Sequence, residues 1–74
     1  MRMSDLVEHL VVSSGHGELV KVSTIYPDRY VTAEVVYPIP PRTTVRAYGP
    51  DAIDQWRPCS TAQYRRYVKA WEAA

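Results

Sequence analysis

Residues 18–37, ELVKVSTIYPDRYVTAEVVY, decide the fold, because they contain two runs of alternating side chains joined by a turn. Alternation with a period of two and a high content of β-branched residues are typical of half-buried strands. Between the runs, Pro27 presets φ at the first corner of a turn, and Asp28 can hydrogen-bond to nearby backbone. We therefore predict an antiparallel hairpin. The residues expected to share a face within each strand are Val20, Val22, Thr24 and Tyr26 in the first and Val31, Ala33, Val35 and Tyr37 in the second.

Residues 38–42, PIPPR, cannot continue the second strand, because prolines lack the N–H that a strand ladder requires. The second strand is therefore predicted to end at Tyr37 and to pass into an extended polyproline segment. The β-branched run TTVRAY, residues 43–48, predicts a third strand that closes at Gly49-Pro50. Together these segments predict a three-stranded antiparallel sheet.

The segment before the hairpin, residues 5–14, allows two interpretations. As a helix it would be capped by Ser4 or Asp5, with Glu8 at capping-box spacing and Gly15 as the terminator. As a strand it would place Glu8 on the same face as apolar residues, so the acid would interrupt that face. The helix is the preferred interpretation, and a fourth strand is the alternative.

Two helices are predicted after the third strand. Residues 50–56, PDAIDQW, predict a brief helix with Pro50 in its first turn. In residues 60–74, Ser60 and Gln63 match a capping box, so a longer helix should begin at Thr61. Its apolar stripe spans about 100°, which is the width expected of a face packed on the sheet. That stripe consists of Tyr64, Tyr67, Val68 and Trp71.

The size and composition fit one small α+β domain over residues 1–74. The chain is 46% hydrophobic and 23% charged, as in ordinary folded proteins, and 74 residues leave little room for a cofactor cavity. A single cysteine forbids an internal disulfide, which agrees with a reducing compartment. No apolar run is long enough to span a membrane or to form a signal peptide. We expect a cytoplasmic protein held together by hydrophobic packing or by a partner subunit.

Charge is distributed unevenly, although the net charge is only +1. Residues 1–41 hold three cations and five acids, whereas residues 42–74 hold six cations and three acids. Tyrosine and arginine are enriched in binding hot spots, so the basic part is the candidate partner-binding region. The simpler interpretation of its charged helix face is exposure to water alone. The candidate residues are Arg65, Arg66, Lys69, Tyr64, Tyr67, Arg57, Arg46 and Arg42.

The sequence gives little support for a catalytic site or a metal-binding site. His9, His16 and Cys59 are the available soft ligands, and their spacing matches no zinc pattern. Cys59 precedes a helix cap, where the helix dipole could lower its thiol pKa, but no base or oxyanion donor can be identified with it. The sequence PIPPR resembles a proline-rich ligand, but a segment held between two strands is not free to dock. We therefore predict no enzyme activity, no metal and no cofactor.

The function expected from the sequence is that of a non-enzymatic protein-binding module, a regulator or inhibitor, which engages an acidic protein surface. The alternative is a small DNA-binding protein, because residues 51–56 and 61–73 have the outline of a helix-turn-helix and a hairpin could serve as a wing. Against DNA, the chain is near neutral, and Asp51 and Asp54 would repel phosphates. A third possibility is self-association through an open sheet edge.

The general character of the chain, short, rich in arginine and free of motifs, is similar to that of bacteriophage accessory proteins that block a host protein. The absence of Phe and Asn also suggests GC-rich coding, as in some bacteria and their phages. This resemblance lies in composition and covers no particular residues.

Overall fold

An antiparallel sheet of five strands forms the centre of the protein, in a computed structural model that describes residues 1–74. The predicted α+β class, with an antiparallel sheet and a C-terminal helix, is confirmed, but the sheet has five strands where three were predicted. The spatial order of the strands is β4-β3-β2-β1-β5. The strands are β1 (Val11–Ser13), β2 (Leu19–Tyr26), β3 (Tyr30–Tyr37), β4 (Val45–Tyr48) and β5 (Arg57–Pro58), and the helices are α1 (Pro50–Asp54) and α2 (Thr61–Ala73).

The predicted hairpin is confirmed as β2 and β3. Its turn is closed by Arg29, whose backbone N–H donates to the carbonyl of Tyr26 at 3.1 Å. Asp28 has a φ of 61°, so the third residue of the turn lies in the left-handed region, which Asp tolerates better than most residues. Tyr26 and Tyr30 stack at the base of this turn, with ring centroids 4.7 Å apart.

Two bulges, one at Val36 of β3 and one at Ser23 of β2, change which side chains of the hairpin share a face. Val22 lies opposite Ala33, but the next pair is Thr24 with Thr32, so Ser23 has no partner. Ile25 then lies opposite Val31 and packs against the core, and Thr24 is exposed. The predicted strict alternation of β2 is therefore wrong beyond Val22, because one extra residue reverses the side-chain pattern.

The predicted third strand is confirmed as β4, and it is shorter than residues 43–48. It pairs with β3 over four positions, from Val31 opposite Tyr48 to Glu34 opposite Val45. Since β4 has a neighbour on one side alone, it forms one edge of the sheet. The proline segment leads into it, and the peptide bond between Tyr37 and Pro38 is cis.

The preferred helix over residues 5–14 is wrong, and the alternative of a further strand is correct. A short 3₁₀ turn, Met3–Asp5, is followed by β1, which lies between β2 and β5. His9 has a φ of 70°, so the backbone leaves helical geometry in the middle of the segment. The physical reason is tertiary: Val12 is buried in the sheet, and strand pairing on both sides outweighs the helical propensity of a short segment. Gly15, expected to end a helix, lies in the β1–β2 turn with a φ of 94°.

The brief helix predicted after Gly49 is confirmed as α1. It contributes Ile53 to the core, and Trp56 follows it; both are almost completely buried. The N-terminal ammonium group of Met1 donates to the carbonyls of Ile53, Asp54 and Trp56 at 2.9 to 3.2 Å, which satisfies acceptors at the end of α1. Strand β5 was not predicted; its two residues pair with β1 at the other edge of the sheet.

The core lies between the sheet and the chain segments that contain the 3₁₀ turn and α1. Trp56 stands against Tyr48 edge-on, with ring centroids 5.2 Å apart, and fills the space over the middle strands. No residue of α2 belongs to this core. Its members are Leu6, Val12, Val20, Val22, Val31, Ala33, Ile53 and Trp56.

Helix α2 begins at Thr61 as predicted, and the capping box is present. The backbone N–H of Gln63 donates to Ser60 Oγ at 3.1 Å, and the Ser60 N–H donates to Gln63 Oε1 at 2.9 Å. The helix contacts β3, and its Trp71 indole N–H donates to the carbonyl of Val36. Val36 and Leu19 are buried outside the core cluster, so we place α2 on the sheet face opposite α1.

Helix α2 packs on the sheet as predicted, but its apolar stripe is only partly covered and lies outside the core. Tyr64 is 49% exposed and Trp71 is 43% exposed, while Tyr67 and Val68 are half-buried. The reason is that α1 and Trp56 already cover the core face, which leaves α2 to rest on the other face with half of its apolar stripe open to solvent.

Candidate functional site

The clearest candidate site is the accessible part of α2, which we call the α2 surface: the cations Arg65, Arg66 and Lys69 on the side away from the sheet, and the partly exposed rings of Tyr64 and Trp71 at the margin of the side that rests on it. All five side chains are exposed to solvent. The 13 residues of the helix make it about 20 Å long. Arg65 and Lys69 are one turn apart, so their like charges repel and favour an acidic neighbour. The α2 surface therefore presents three cations on a regular, rigid element.

Aromatic rings run along the same helix. The ring of Tyr67 lies edge-on to Tyr64 at 5.6 Å and edge-on to Trp71 at 6.5 Å. Such edge-to-face pairs fix the ring positions at a low cost in conformational entropy. The partly exposed rings of Tyr64 and Trp71 consequently provide preorganised apolar area on the same helix as the cations.

Arg57 lies close to the start of α2 in the chain. It occupies β5, three residues before the helix cap, and its Nη1 donates to the carbonyl of Trp56 at 3.5 Å. Strands β5 and β4 form opposite edges of the sheet, so three strands separate Arg57 from Arg46.

Arg42 and Arg46 lie elsewhere. Both line a groove of about 510 Å³ beside the proline segment, with Glu18 and Val35 also contributing to its walls. Arg46 pairs with Ala33 of the core, so its side chain projects on the α1 face of the sheet. The structure thus brings Arg42 and Arg46 together, but separates them from the cations of α2.

The two helices do not form a helix-turn-helix. That motif requires its two helices to pack against each other across a short turn. Here α1 contacts β4 and the 3₁₀ turn on the core side, α2 contacts β3 on the other side, and β5 lies between them in the chain.

Cys59 and His9 line a second groove, of about 430 Å³, between β1 and the start of α2. Burial raises the pKa of the Cys59 thiol. This shift is opposite to the lowering of the thiol pKa that a helix dipole would cause. His16 lines a different groove beside α1. The structure brings no three His, Cys, Asp or Glu side chains together in a metal-binding arrangement.

Two parts of the candidate sites were missed from the sequence. Trp71 was assigned to the core, although a stripe of aromatic residues has the same spacing whether a sheet or a partner covers it. Glu18 was not assigned to any site, and it is brought to Arg42 and Arg46 by the pairing of β2, β3 and β4.

No helix of the protein has the length and apolar character needed to cross a membrane. A comparison with protein-family models, curated proteins and solved structures finds no match to this chain.

Proposed function

We propose that the protein is a non-enzymatic, cytoplasmic binding module that docks an acidic surface of a partner protein on α2. The observation that carries the proposal is that α2 has no buried residue and exposes two aromatic rings and three cations on one helix. Burying half-exposed Trp and Tyr rings contributes strongly to association, and neighbouring arginines supply directed charge-assisted hydrogen bonds.

The chemistry of the α2 surface selects the partner. Cations within one or two turns attract carboxylates and raise the rate of encounter with an acidic protein. The rings add an apolar contact that carries affinity once the charges have aligned the two surfaces. We therefore expect an acidic patch with an apolar centre on the partner, and a regulator or inhibitor of a bacterial or phage-host protein fits this mode of action.

DNA binding by the same helix is the alternative function. It is less favoured because phosphate contacts need a broad positive surface, whereas Arg42 and Arg46 lie on the other face of the sheet. A titration of the protein against labelled random-sequence duplex DNA at increasing salt tests it directly. Tight binding that weakens steeply with salt would replace the protein-partner proposal.

A charge-reversal pair tests the proposal itself. Arg66→Glu changes the α2 surface, and Arg29→Glu makes the same net charge change in the exposed β2–β3 turn. A bacterial protein retained on the immobilised wild-type chain should be retained on Arg29→Glu and lost on Arg66→Glu, and its measured affinity should fall about tenfold or more for Arg66→Glu. Equal affinity for the two variants would show that α2 is not the docking surface.

A further inference from the structure

The outer edge of β4 has no strand beside it, and its residues are accessible. Val45, Arg46 and Ala47 are exposed, and Val45 retains 54% of its accessible surface. An edge strand presents unpaired backbone N–H and C=O groups that can pair with another chain. The edge is bounded by Pro41 on one side and Pro50 on the other, so it offers a short docking length, residues 42–49, of which 45–48 form β4.

The charge of this edge decides what can pair with it. Residues 42–49, RTTVRAYG, contain two cations and no acid. A second copy of the chain would bring four arginines together across an antiparallel pair, which is unfavourable because directly opposed like charges destabilise strand pairing. A strand with acidic side chains would instead neutralise Arg42 and Arg46.

The register of β4 defines the pattern of the incoming strand. Arg46 lies opposite the core residue Ala33, whereas Val45 lies opposite Glu34 on the other face. A residue placed across from Arg46 on a sixth strand projects to the α1 face, about 5 Å from it. Its two neighbours project to the α2 face, beside Val45 and Ala47. The matching pattern is therefore an acidic residue flanked by apolar residues.

The groove beside the proline segment extends this recognition. Arg42 and Arg46 line it together with Ile39, Val35 and prolines, and Glu18 is the one acid in its wall. The groove is therefore lined by two cations, one acid and several apolar side chains. It suits a further acidic side chain of the same extended segment, which would reach Arg42.

We propose that β4 accepts an extended acidic segment of a partner protein as a sixth strand, with a carboxylate paired to Arg46 and apolar neighbours beside Val45 and Ala47. Backbone hydrogen bonds supply affinity in this mode, and alternate side chains supply specificity. This site lies on a different surface from α2, so its test is independent of the test of the proposed function.

Fluorescence anisotropy with a labelled peptide, Gly-Thr-Val-Glu-Val-Thr-Gly, tests the site. We expect saturable binding at peptide concentrations below about 1 mM, and a loss of about tenfold or more when Lys replaces the Glu of the peptide. Methylation of the two valine nitrogens of the peptide should abolish binding, because it removes donors to the β4 edge. In the amide NMR spectrum, the largest shifts should fall on residues 45–48.

The variant Arg46→Glu is the decisive change, with Arg29→Glu in the exposed β2–β3 turn as its control. Arg46→Glu should prefer the Lys peptide over the Glu peptide, while Arg29→Glu should bind as the wild type does. Circular dichroism establishes that both variants are folded. The proposal is overturned by no saturation up to about 1 mM, by unchanged binding of the methylated peptide, or by an Arg46→Glu variant that still prefers the Glu peptide.

Discussion

The indole N–H of Trp71 donates a hydrogen bond to the carbonyl oxygen of Val36, the residue that a bulge leaves without a partner on β2. Leu19 lies opposite Tyr37 and Val20 lies opposite Val35, so Val36 is skipped in the strand pairing. A bulge interrupts the ladder locally, and a polar group freed in this way needs another partner. Helix α2 supplies it, and the sheet irregularity and the helix position are therefore linked.

Trp71→Phe tests this link. The variant keeps an aromatic ring but loses the donor, so we expect the free energy of unfolding to fall by about 1 kcal/mol and the amides of α2 to exchange faster. Tyr64→Phe is the matched control, because its hydroxyl makes no hydrogen bond to the sheet, and it should change stability by less than about 0.5 kcal/mol. Denaturant titration and hydrogen exchange measure both effects; equal losses in the two variants would contradict the link.

The residue type at position 28 should affect the stability of the β2–β3 turn, because the φ of 61° found at Asp28 is unfavourable for most side chains. Asp28→Gly should raise the free energy of unfolding by up to about 0.5 kcal/mol, and Asp28→Val should lower it by about 1 kcal/mol or more. Arg29→Val, next in the chain, should have a smaller effect. Thermal denaturation of the three variants gives the order, and a neutral Asp28→Val would show that the turn adopts another conformation.

Trp56→Ala should abolish cooperative folding. Trp56 is 2% exposed and fills the core against Tyr48. Removing a buried indole costs about 3–5 kcal/mol, which is comparable to the whole stability of a domain of this size. Tyr64→Ala removes a large ring from the surface and should leave a folded protein. Near-ultraviolet circular dichroism distinguishes the two, and a folded Trp56→Ala variant would be evidence against this packing.

Burial raises the pKa of the Cys59 thiol, and this predicts slow alkylation near neutral pH. The thiolate is the reactive form, so the alkylation rate should reach its midpoint at a higher pH in the folded protein than in denaturant. As the pH rises, the Cys59 thiol therefore loses its proton at a lower pH in the unfolded chain than in the folded protein. Stability should therefore decrease as the pH exceeds the ordinary thiol pKa, and Cys59→Ser should lack this contribution. A lower midpoint in the folded protein would overturn the prediction.

The elements predicted correctly are those whose determinants are local in the sequence. The hairpin follows from alternation and from Pro27-Asp28, and the start of α2 follows from Ser60 and Gln63. The hairpin pairs residues four to eighteen positions apart across one turn, and the capping box joins residues three positions apart. A single sequence contains all the information needed for them.

The elements predicted wrongly or missed depend on distant residues. Strand β1 exists because β2 and β5 pair with it on both sides, and β5 is separated from it by more than 40 residues. Neither Arg57 nor Pro58 favours a strand by its own propensity, so no local pattern identifies β5. The bulges at Ser23 and Val36 likewise arise from strand pairing rather than from an alternation visible in the sequence.

The candidate site was predicted in part. The cations of α2 and their helical spacing follow from the sequence, and their role in binding stays a prediction. The separation of Arg46 from Arg66 across the sheet required the strand register, because both residues appear in one basic segment of the sequence.

The contribution of Ile53 and Trp56 to the core affects how the chain behaves during synthesis. The hairpin emerges from the ribosome before these residues do, so the valines of its inner face have no cover during that interval. An uncovered apolar sheet is the kind of surface that aggregates or recruits holding chaperones. A delay between the emergence of residue 37 and that of residue 56 would prolong this exposure and lower the yield of folded protein.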